Sequence, residues 1–205
     1  MMKIYTYPTP NGIKPLLALE ELGLSYNLER IDLLKGEQFE IEYKKINPHC
    51  KIPTLYDQDG LYGEEMIITE SSAILLYLAK KYGQFFPFNK KTEIKAYQWL
   101  FFQAANPAPN RVYYFKYFVK ERNQQIIDHY FQEARRFFAV LEEQLYQNEF
   151  VCDEYSIVDM SLYPTVATFQ KIDFDFQEFP SIYSWFNVIS NRPAIQQAMN
   201  NIKIS

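Results

Sequence analysis

A threonine and an asparagine near the start of the chain, Thr9 and Asn11, have the side chains and the spacing to stabilise a negatively charged sulfur. They follow an apolar segment, residues 3–7, which we predict to be a strand, and they precede a predicted helix over residues 13–22. Free backbone N–H groups and the positive end of the dipole lie at a helix start, so an anion is favoured there. A thiol with an ordinary pKa of about 8.5 needs such help to ionise at neutral pH. The pair therefore predicts a site for a small anionic thiol, with simple helix capping as the alternative.

Two further segments carry groups suited to a short peptide ligand. In the first, Lys51, Ile52 and Pro53 precede a predicted strand. A cis bond before Pro53 would turn the backbone N–H and C=O of Ile52 towards an extended ligand. In the second, Glu70 and Ser71 open a predicted helix, where the glutamate offers a partner for an ammonium group and the serine offers one for a carboxylate. The second segment therefore matches the head group of an α-amino acid, with local capping by Ser71 as the alternative.

The composition argues against several other classes of function. The two cysteines, Cys50 and Cys152, have no C-x-x-C spacing and no nearby metal-ligand pattern, so we expect neither a disulfide framework nor a metal site. A formal net charge of −4 argues against nucleic acid as a partner. The chain lacks an apolar run of about 18 residues and a signal-peptide pattern, so we expect a cytoplasmic protein with no membrane partner.

The glycine distribution divides the chain into two predicted parts. All six glycines lie within the first 83 residues, which favours tight turns in a mixed α/β unit there and helices beyond it. We predict a first domain over 1–83, a linker over 84–91 and an all-helical domain over 92–205. The predicted elements of the first domain run βαβ, α, ββ, α, which is the order of a thioredoxin-like layer. The predicted fold class is therefore α/β plus all-α.

Helical periodicity continues through the second part. It predicts helices over 93–105, over 113–147 with a break near 121–124, over 157–170 and over 182–189. Ser156 and Asp159 have the spacing of a capping box at the start of the third of these helices. We assign this pair to folding rather than to chemistry.

Several other reactive side chains have weaker claims to a role. Tyr7, at the end of the first predicted strand, is a second candidate for a hydroxyl that faces the sulfur, although packing on the sheet is the commoner explanation. Cys50 is the one plausible protein nucleophile, because it lies close to the Ile52-Pro53 dipeptide, but it lacks a resolving cysteine. His49 and His129 have no partner that the sequence identifies.

These motifs resemble those of the cytosolic glutathione S-transferases over essentially the whole chain. The matching segments are 51–53, 70–78, 156–159 and 192–194. More narrowly, segments 9–12, 35–39 and 98–101 are similar to the bacterial Nu-class branch, whose members are disulfide-bond oxidoreductases.

The resemblance implies a homodimer that binds glutathione as a co-substrate. The glutathione thiolate would reduce a small disulfide or attack a small electrophile. In this branch a threonine and an asparagine hold the sulfur, and they correspond to Thr9 and Asn11 here. The implied glutathione-binding residues are Gln38, Lys51, Ile52, Pro53, Glu70 and Ser71. The alternative, from a different class, is a catalytically silent regulatory or binding protein with the same fold, as stringent starvation protein A is.

Overall fold

The computed structural model describes residues 1–86, 89–117, 119–172 and 175–202. Its contacts divide the chain into two compact units, of which the first contains residues 1–86 together with residues 192–202 and the second contains the described residues in between. Residues 87 and 88 of the predicted linker over 84–91 lie outside the described residues. None of the described helices has the length and apolar composition needed to cross a membrane.

The first unit is built on a mixed sheet. Its elements are β1 (Met2–Thr6), α1 (Pro10–Glu21), β2 (Tyr26–Arg30), α2 (Ile41–Ile46), β3 (Thr54–Asp57), β4 (Met66–Thr69), α3 (Ser71–Tyr82) and α9 (Pro193–Asn201). The strand order is β2-β1-β3-β4, with β1 and β2 parallel and the other neighbours antiparallel. Up to α3, this is the predicted βαβ, α, ββ, α order, so the thioredoxin-like prediction is confirmed.

Helix α1 begins three residues before its predicted start at residue 13. Pro10 is its first residue and Thr9 is its N-cap. A proline is favoured in the first turn because its missing N–H would have no intrahelical partner there. The apolar face of the helix, which includes Leu16 and Leu17, is completely buried. Burial of this face anchors the helix start beside the end of β1.

Gly12 allows α1 to approach β1 closely. A Cβ atom at this position would lie 2.1 Å from the Tyr7 carbonyl oxygen and 2.6 Å from Thr6 Oγ1, so a larger side chain would require the backbone to move. The Thr6 hydroxyl donates a hydrogen bond to the Gly12 carbonyl at 2.8 Å. These contacts fix the first turn of α1 against the last residues of β1.

Helix α9 lies in the first unit, whereas the sequence prediction extended one helical domain over 92–205. The guanidinium of Arg192 donates to both carboxylate oxygens of Glu21, at 2.6 and 2.8 Å. Ile195 is completely buried, and α9 packs along α1. A paired charge and an apolar face thus attach this helix to the first unit.

The second unit is helical in its described residues. It contains α4 (Lys90–Ala105), α5 (Ala108–Tyr117), α6 (Gln124–Leu145), α7 (Ile157–Phe169) and α8 (Pro180–Ser190). The sequence prediction placed α5 and α6 in one broken helix over 113–147, and α5 in fact begins five residues earlier. The all-α part of the predicted fold class is confirmed.

The predicted capping box at the start of α7 is present. The Ser156 hydroxyl accepts from Val158 N–H, and the Asp159 carboxylate accepts from Ser156 N–H at 3.0 Å. Asp159 also accepts from Val151 N–H at 3.1 Å and from Trp185 Nε1–H at 2.9 Å. Complete burial raises the pKa of Asp159 to about 6, although these hydrogen bonds act in the opposite direction.

Candidate active site

Thr9 both caps α1 and keeps a free hydroxyl proton. Its backbone is extended, and its Oγ1 accepts a hydrogen bond from Gly12 N–H at 3.1 Å. The capping alternative is therefore realised for this residue. Accepting a hydrogen bond leaves the O–H group of a threonine available as a donor. Capping and donation to a ligand are compatible at Thr9.

Asn11 lies exposed in the first turn of α1 and contacts a buried lysine. Lys14 Nζ donates to Asn11 Oδ1 at 2.8 Å, and the Lys14 side chain is completely buried. Burial lowers the pKa of Lys14 to about 7, with the negative charge of Glu70 acting in the opposite direction. Lys14 was not identified from the sequence. The available signal was a lysine three residues after Asn11 on the face of α1 that also carries Leu17.

The loop before β3 has the predicted geometry. The peptide bond between Ile52 and Pro53 is cis. Two side chains from α2 and its C-terminal end hold the preceding residue, because Tyr43 O–H and Asn47 Nδ2 both donate to the Lys51 carbonyl at 2.7 Å. Tyr43 and Asn47 were not identified from the sequence, since nothing local to them indicates a contact with this loop.

Glu70 and Ser71 form the start of α3. Glu70 has a φ of 66°, which is strained for a residue with a side chain, and such strain is often found at functional sites. It occupies the N-cap position without a side-chain hydrogen bond to the described first turn. Ser71 is the first helical residue rather than the cap, so the capping alternative for it is not realised. The His49 imidazole lies near Glu70, with Nδ1 3.9 Å from Oε1.

Gln38 lies in a 3₁₀ turn, Glu37–Phe39, between β2 and α2. Its Oε1 atom is buried and has no hydrogen-bond partner among the described residues. Buried polar atoms in proteins nearly always have a partner. A ligand that donates a hydrogen bond here would satisfy the amide oxygen.

The register of the sheet brings these segments to one edge. Tyr5 of β1, Thr54 of β3 and Thr69 of β4 lie side by side on neighbouring strands. The start of α1 follows the first of them after a short turn, Pro53 directly precedes the second and Glu70 directly follows the third. Because each of these strand pairs is antiparallel, the three segments meet at the same edge of the sheet.

Tyr7 is directed towards other groups. Its ring lies 5.4 Å from the Arg30 guanidinium. Burial and the neighbouring Asp32 carboxylate raise the pKa of Tyr7, so the phenol stays protonated at neutral pH. Because the Asp32 carboxylate engages the phenol O–H, the structure adds no support for Tyr7 as the hydroxyl that faces the sulfur.

The remaining cysteine and histidine candidates differ in their surroundings. Cys152 is buried in the second unit, and burial raises the pKa of its thiol to about 12, which makes it a poor nucleophile. Cys50 is partly exposed, with Sγ 3.6 Å from the Pro48 carbonyl oxygen. His129 lies in α6 of the second unit, beside the ring of Tyr130.

Comparison with known proteins identifies the family. The family model described as glutathione S-transferase, N-terminal domain, matches residues 1–80, and the one described as glutathione S-transferase, C-terminal domain, matches residues 92–193. Disulfide-bond oxidoreductase YfcG of Escherichia coli (strain K12) is 36% identical over 205 aligned residues, which cover 97% of this chain and 94% of that protein.

Solved structures agree with these matches. Glutathione transferase BgramDRAFT_1843 from Burkholderia graminis, with two glutathione molecules bound per subunit, has a TM-score of 0.93 at 31% identity and covers 100% of this chain and 89% of that chain. A glutathione transferase from Pseudomonas putida, with one glutathione disulfide bound per subunit, has a TM-score of 0.91 at 29% identity, with 97% and 90% covered. By sequence, by domain content and by fold, this chain belongs to the glutathione S-transferase family.

Proposed function

We propose that this protein is a glutathione-dependent disulfide oxidoreductase in which the thiolate of bound glutathione is the nucleophile. The observation that carries the proposal is the start of α1, where the Thr9 hydroxyl and the exposed Asn11 side chain lie at the positive end of the helix dipole. These are donors suited to a thiolate. The names of similar proteins support the choice of reaction, since one is a disulfide-bond oxidoreductase and another holds glutathione disulfide.

The rest of the edge suits the glutathione tripeptide. Glu70 is proposed to bind the α-ammonium group, and Ser71 with the uncapped start of α3 to bind the α-carboxylate. The Ile52 backbone beside the cis bond is proposed to pair with the extended peptide. Gln38, with its unsatisfied amide oxygen, and Lys51 complete the proposed glutathione contacts.

The proposed reaction transfers two electrons in two exchanges. One glutathione thiolate attacks a sulfur of the substrate disulfide, a glutathione mixed disulfide forms and one substrate thiolate leaves. A second glutathione thiolate attacks the glutathione sulfur of the mixed disulfide, releasing the other substrate thiolate and forming glutathione disulfide. The protons lost by the two glutathione thiols end on the two product thiols. The same thiolate would attack a small electrophile.

The test compares two double variants in the reduction of bis(2-hydroxyethyl) disulfide by glutathione. Cys50→Ser with Cys152→Ala removes both protein thiols, and we expect turnover to be retained. Alanine suits position 152 because a serine hydroxyl there would be buried. Thr9→Ala with Asn11→Ala removes two oriented donors, and we expect kcat to fall about tenfold or more.

Loss of turnover in the cysteine variant, with the Thr9 and Asn11 variant unaffected, would overturn the mechanism. The alternative, that the chain is a catalytically silent protein of the same fold, predicts a different result. It would show no glutathione-dependent turnover with a disulfide, an aryl halide or a peroxide. Retention of the wild-type protein on immobilised glutathione, followed by turnover with any of these substrates, excludes that alternative.

We also propose a cytoplasmic homodimer. In the second unit, Ile94 and Phe101 lie seven residues apart on α4 and are 66% and 71% exposed. Residues at this spacing share one helix face, and a face with large exposed apolar side chains suits contact with a second copy of the chain. Light scattering at low micromolar concentration tests the proposal, with about twice the chain mass of 24.5 kDa expected.

A further inference from the structure

The contact between Lys14 and Asn11 joins a buried side chain to an exposed one. Lys14 is completely buried, Asn11 is exposed in the first turn of α1, and 2.8 Å separates Lys14 Nζ from Asn11 Oδ1. The two residues are three positions apart, so both project from the same side of the helix. The buried lysine thus contacts a residue proposed to hold the sulfur.

The chemistry of the two groups decides which edge of the asparagine faces outwards. A protonated lysine has three donors and no acceptor, whereas an asparagine amide has an acceptor oxygen on one edge and donor N–H groups on the other. The hydrogen bond runs from Lys14 Nζ to Asn11 Oδ1, which places Nδ2 on the opposite edge of the amide. A thiolate accepts hydrogen bonds, so only the Nδ2 edge can stabilise it.

We propose that Lys14 is a positioning residue for the glutathione sulfur, acting by holding the Asn11 amide with its N–H groups directed towards the thiolate. The inference rests on the proposed function, because it assumes that Asn11 contacts this sulfur. Lys14 itself acts through Asn11 and is buried away from the exposed edge.

The surroundings of Lys14 support a functional origin. Burying an ammonium group is unfavourable, and an apolar residue of similar length would occupy the same space without that penalty. The negative charge of Glu70, at the N-cap of α3, favours the protonated form of Lys14. Lys14 therefore interacts with two of the residues proposed to contact glutathione, with Asn11 by a hydrogen bond and with Glu70 through its charge.

The test uses Lys14→Met, which keeps the length and apolar stem of the side chain but removes its donors. The first readout is the pKa of the bound glutathione thiol, followed by the ultraviolet absorbance of the thiolate. The second is the affinity for S-methylglutathione, which has no ionisable thiol. We expect the thiol pKa to rise and kcat with bis(2-hydroxyethyl) disulfide to fall about tenfold. Affinity for S-methylglutathione should stay within about twofold, because the peptide contacts are unchanged.

Three further variants separate positioning from general structure. Lys14→Gln retains an amide donor for Asn11 Oδ1 and should restore part of the lost kcat. Lys91→Met, a matched change of an exposed lysine on α4, should alter neither readout. In an Asn11→Ala background, Lys14→Met should have no further effect on the thiol pKa, because the residue through which it acts is absent.

The possible failures are distinguishable. An unchanged thiol pKa in Lys14→Met, an equal loss of glutathione and S-methylglutathione affinity, or a full effect in the Asn11→Ala background would overturn the role of Lys14 and leave the proposed function standing. A wild-type protein that neither binds glutathione nor lowers the pKa of its thiol would overturn both.

Discussion

Lys14 in the first unit and Asp159 in the second are both completely buried ionisable side chains. Asp159 accepts four hydrogen bonds, all from neighbouring protein groups that are themselves buried. Among its contacts, Lys14 donates to Asn11, which is exposed. The hydrogen-bond partners of Asp159 are therefore all buried, whereas Lys14 has a hydrogen bond to an exposed side chain.

A buried charged side chain can serve the fold or the functional site, and its hydrogen-bond partners distinguish these two roles. A carboxylate surrounded by donors from a loop, a cap and a neighbouring helix organises the fold, because removing it leaves several buried donors unsatisfied. A buried ammonium group that contacts an exposed amide contributes little that an apolar side chain would not contribute better. Stability and activity should therefore respond in opposite senses to substitution of Lys14.

We expect substitution of Asp159 to have the largest effect on the free energy of unfolding. Asp159→Ala leaves Val151 N–H, Ser156 N–H and Trp185 Nε1–H without their acceptor in a buried place. We expect the free energy of unfolding to fall by about 3–5 kcal/mol, measured by urea unfolding at pH 7.

Asp159→Asn is the matched control, because it keeps one acceptor oxygen and the volume of the side chain. The folded-state pKa of about 6 lies above the ordinary value of 3.8, so the folded state binds the proton more tightly than the unfolded state. As the pH rises from 4 to 6, the free energy of unfolding of wild type relative to this variant should therefore decrease by about 1.4 kcal/mol per pH unit. A loss of less than about 1 kcal/mol in Asp159→Ala would contradict the structural role.

Lys14→Met should have a somewhat smaller effect of opposite sign. We expect it to raise the free energy of unfolding by about 3 kcal/mol at pH 7, because it removes a buried charge. The folded-state pKa of about 7 lies below the ordinary 10.5, so between these values the unfolded state binds more protons and wild type gains stability as pH rises. The gap between variant and wild type should narrow as the pH rises through this range. Destabilisation by Lys14→Met at pH 7 would remove the contrast with Asp159.

His49→Ala provides the exposed reference and the smallest expected effect. The His49 and Glu70 side chains are 62% and 74% exposed, and the atoms nearest each other are 3.9 Å apart. Exposed charge pairs contribute little because solvent screens them, so the free energy of unfolding should change by less than about 0.5 kcal/mol. A larger loss of stability in urea unfolding would show that solvent exposure does not by itself make the contact between His49 and Glu70 weak.

The segments that form the candidate site were predictable because each contains a recognisable short-range sequence pattern. Thr9 before a helix, a proline before β3 and Glu70 before α3 are short-range patterns, and strand alternation predicted the sheet that brings them together. Lys14 was missed because a lysine in an amphipathic helix usually points to solvent, although its three-residue spacing from Asn11 was a signal. Tyr43 and Asn47 were missed since their contacts with Lys51 depend on the folded loop between them.

Attachment of α9 to the first unit has a consequence for synthesis of the protein. Arg192 and Glu21 are 171 positions apart, so the surface of α1 that α9 covers stays exposed until α9 has left the ribosome. Until then the nascent chain presents this surface of α1 to water and to chaperones. The first unit begins to form early, but it is completed only after α9 has been translated.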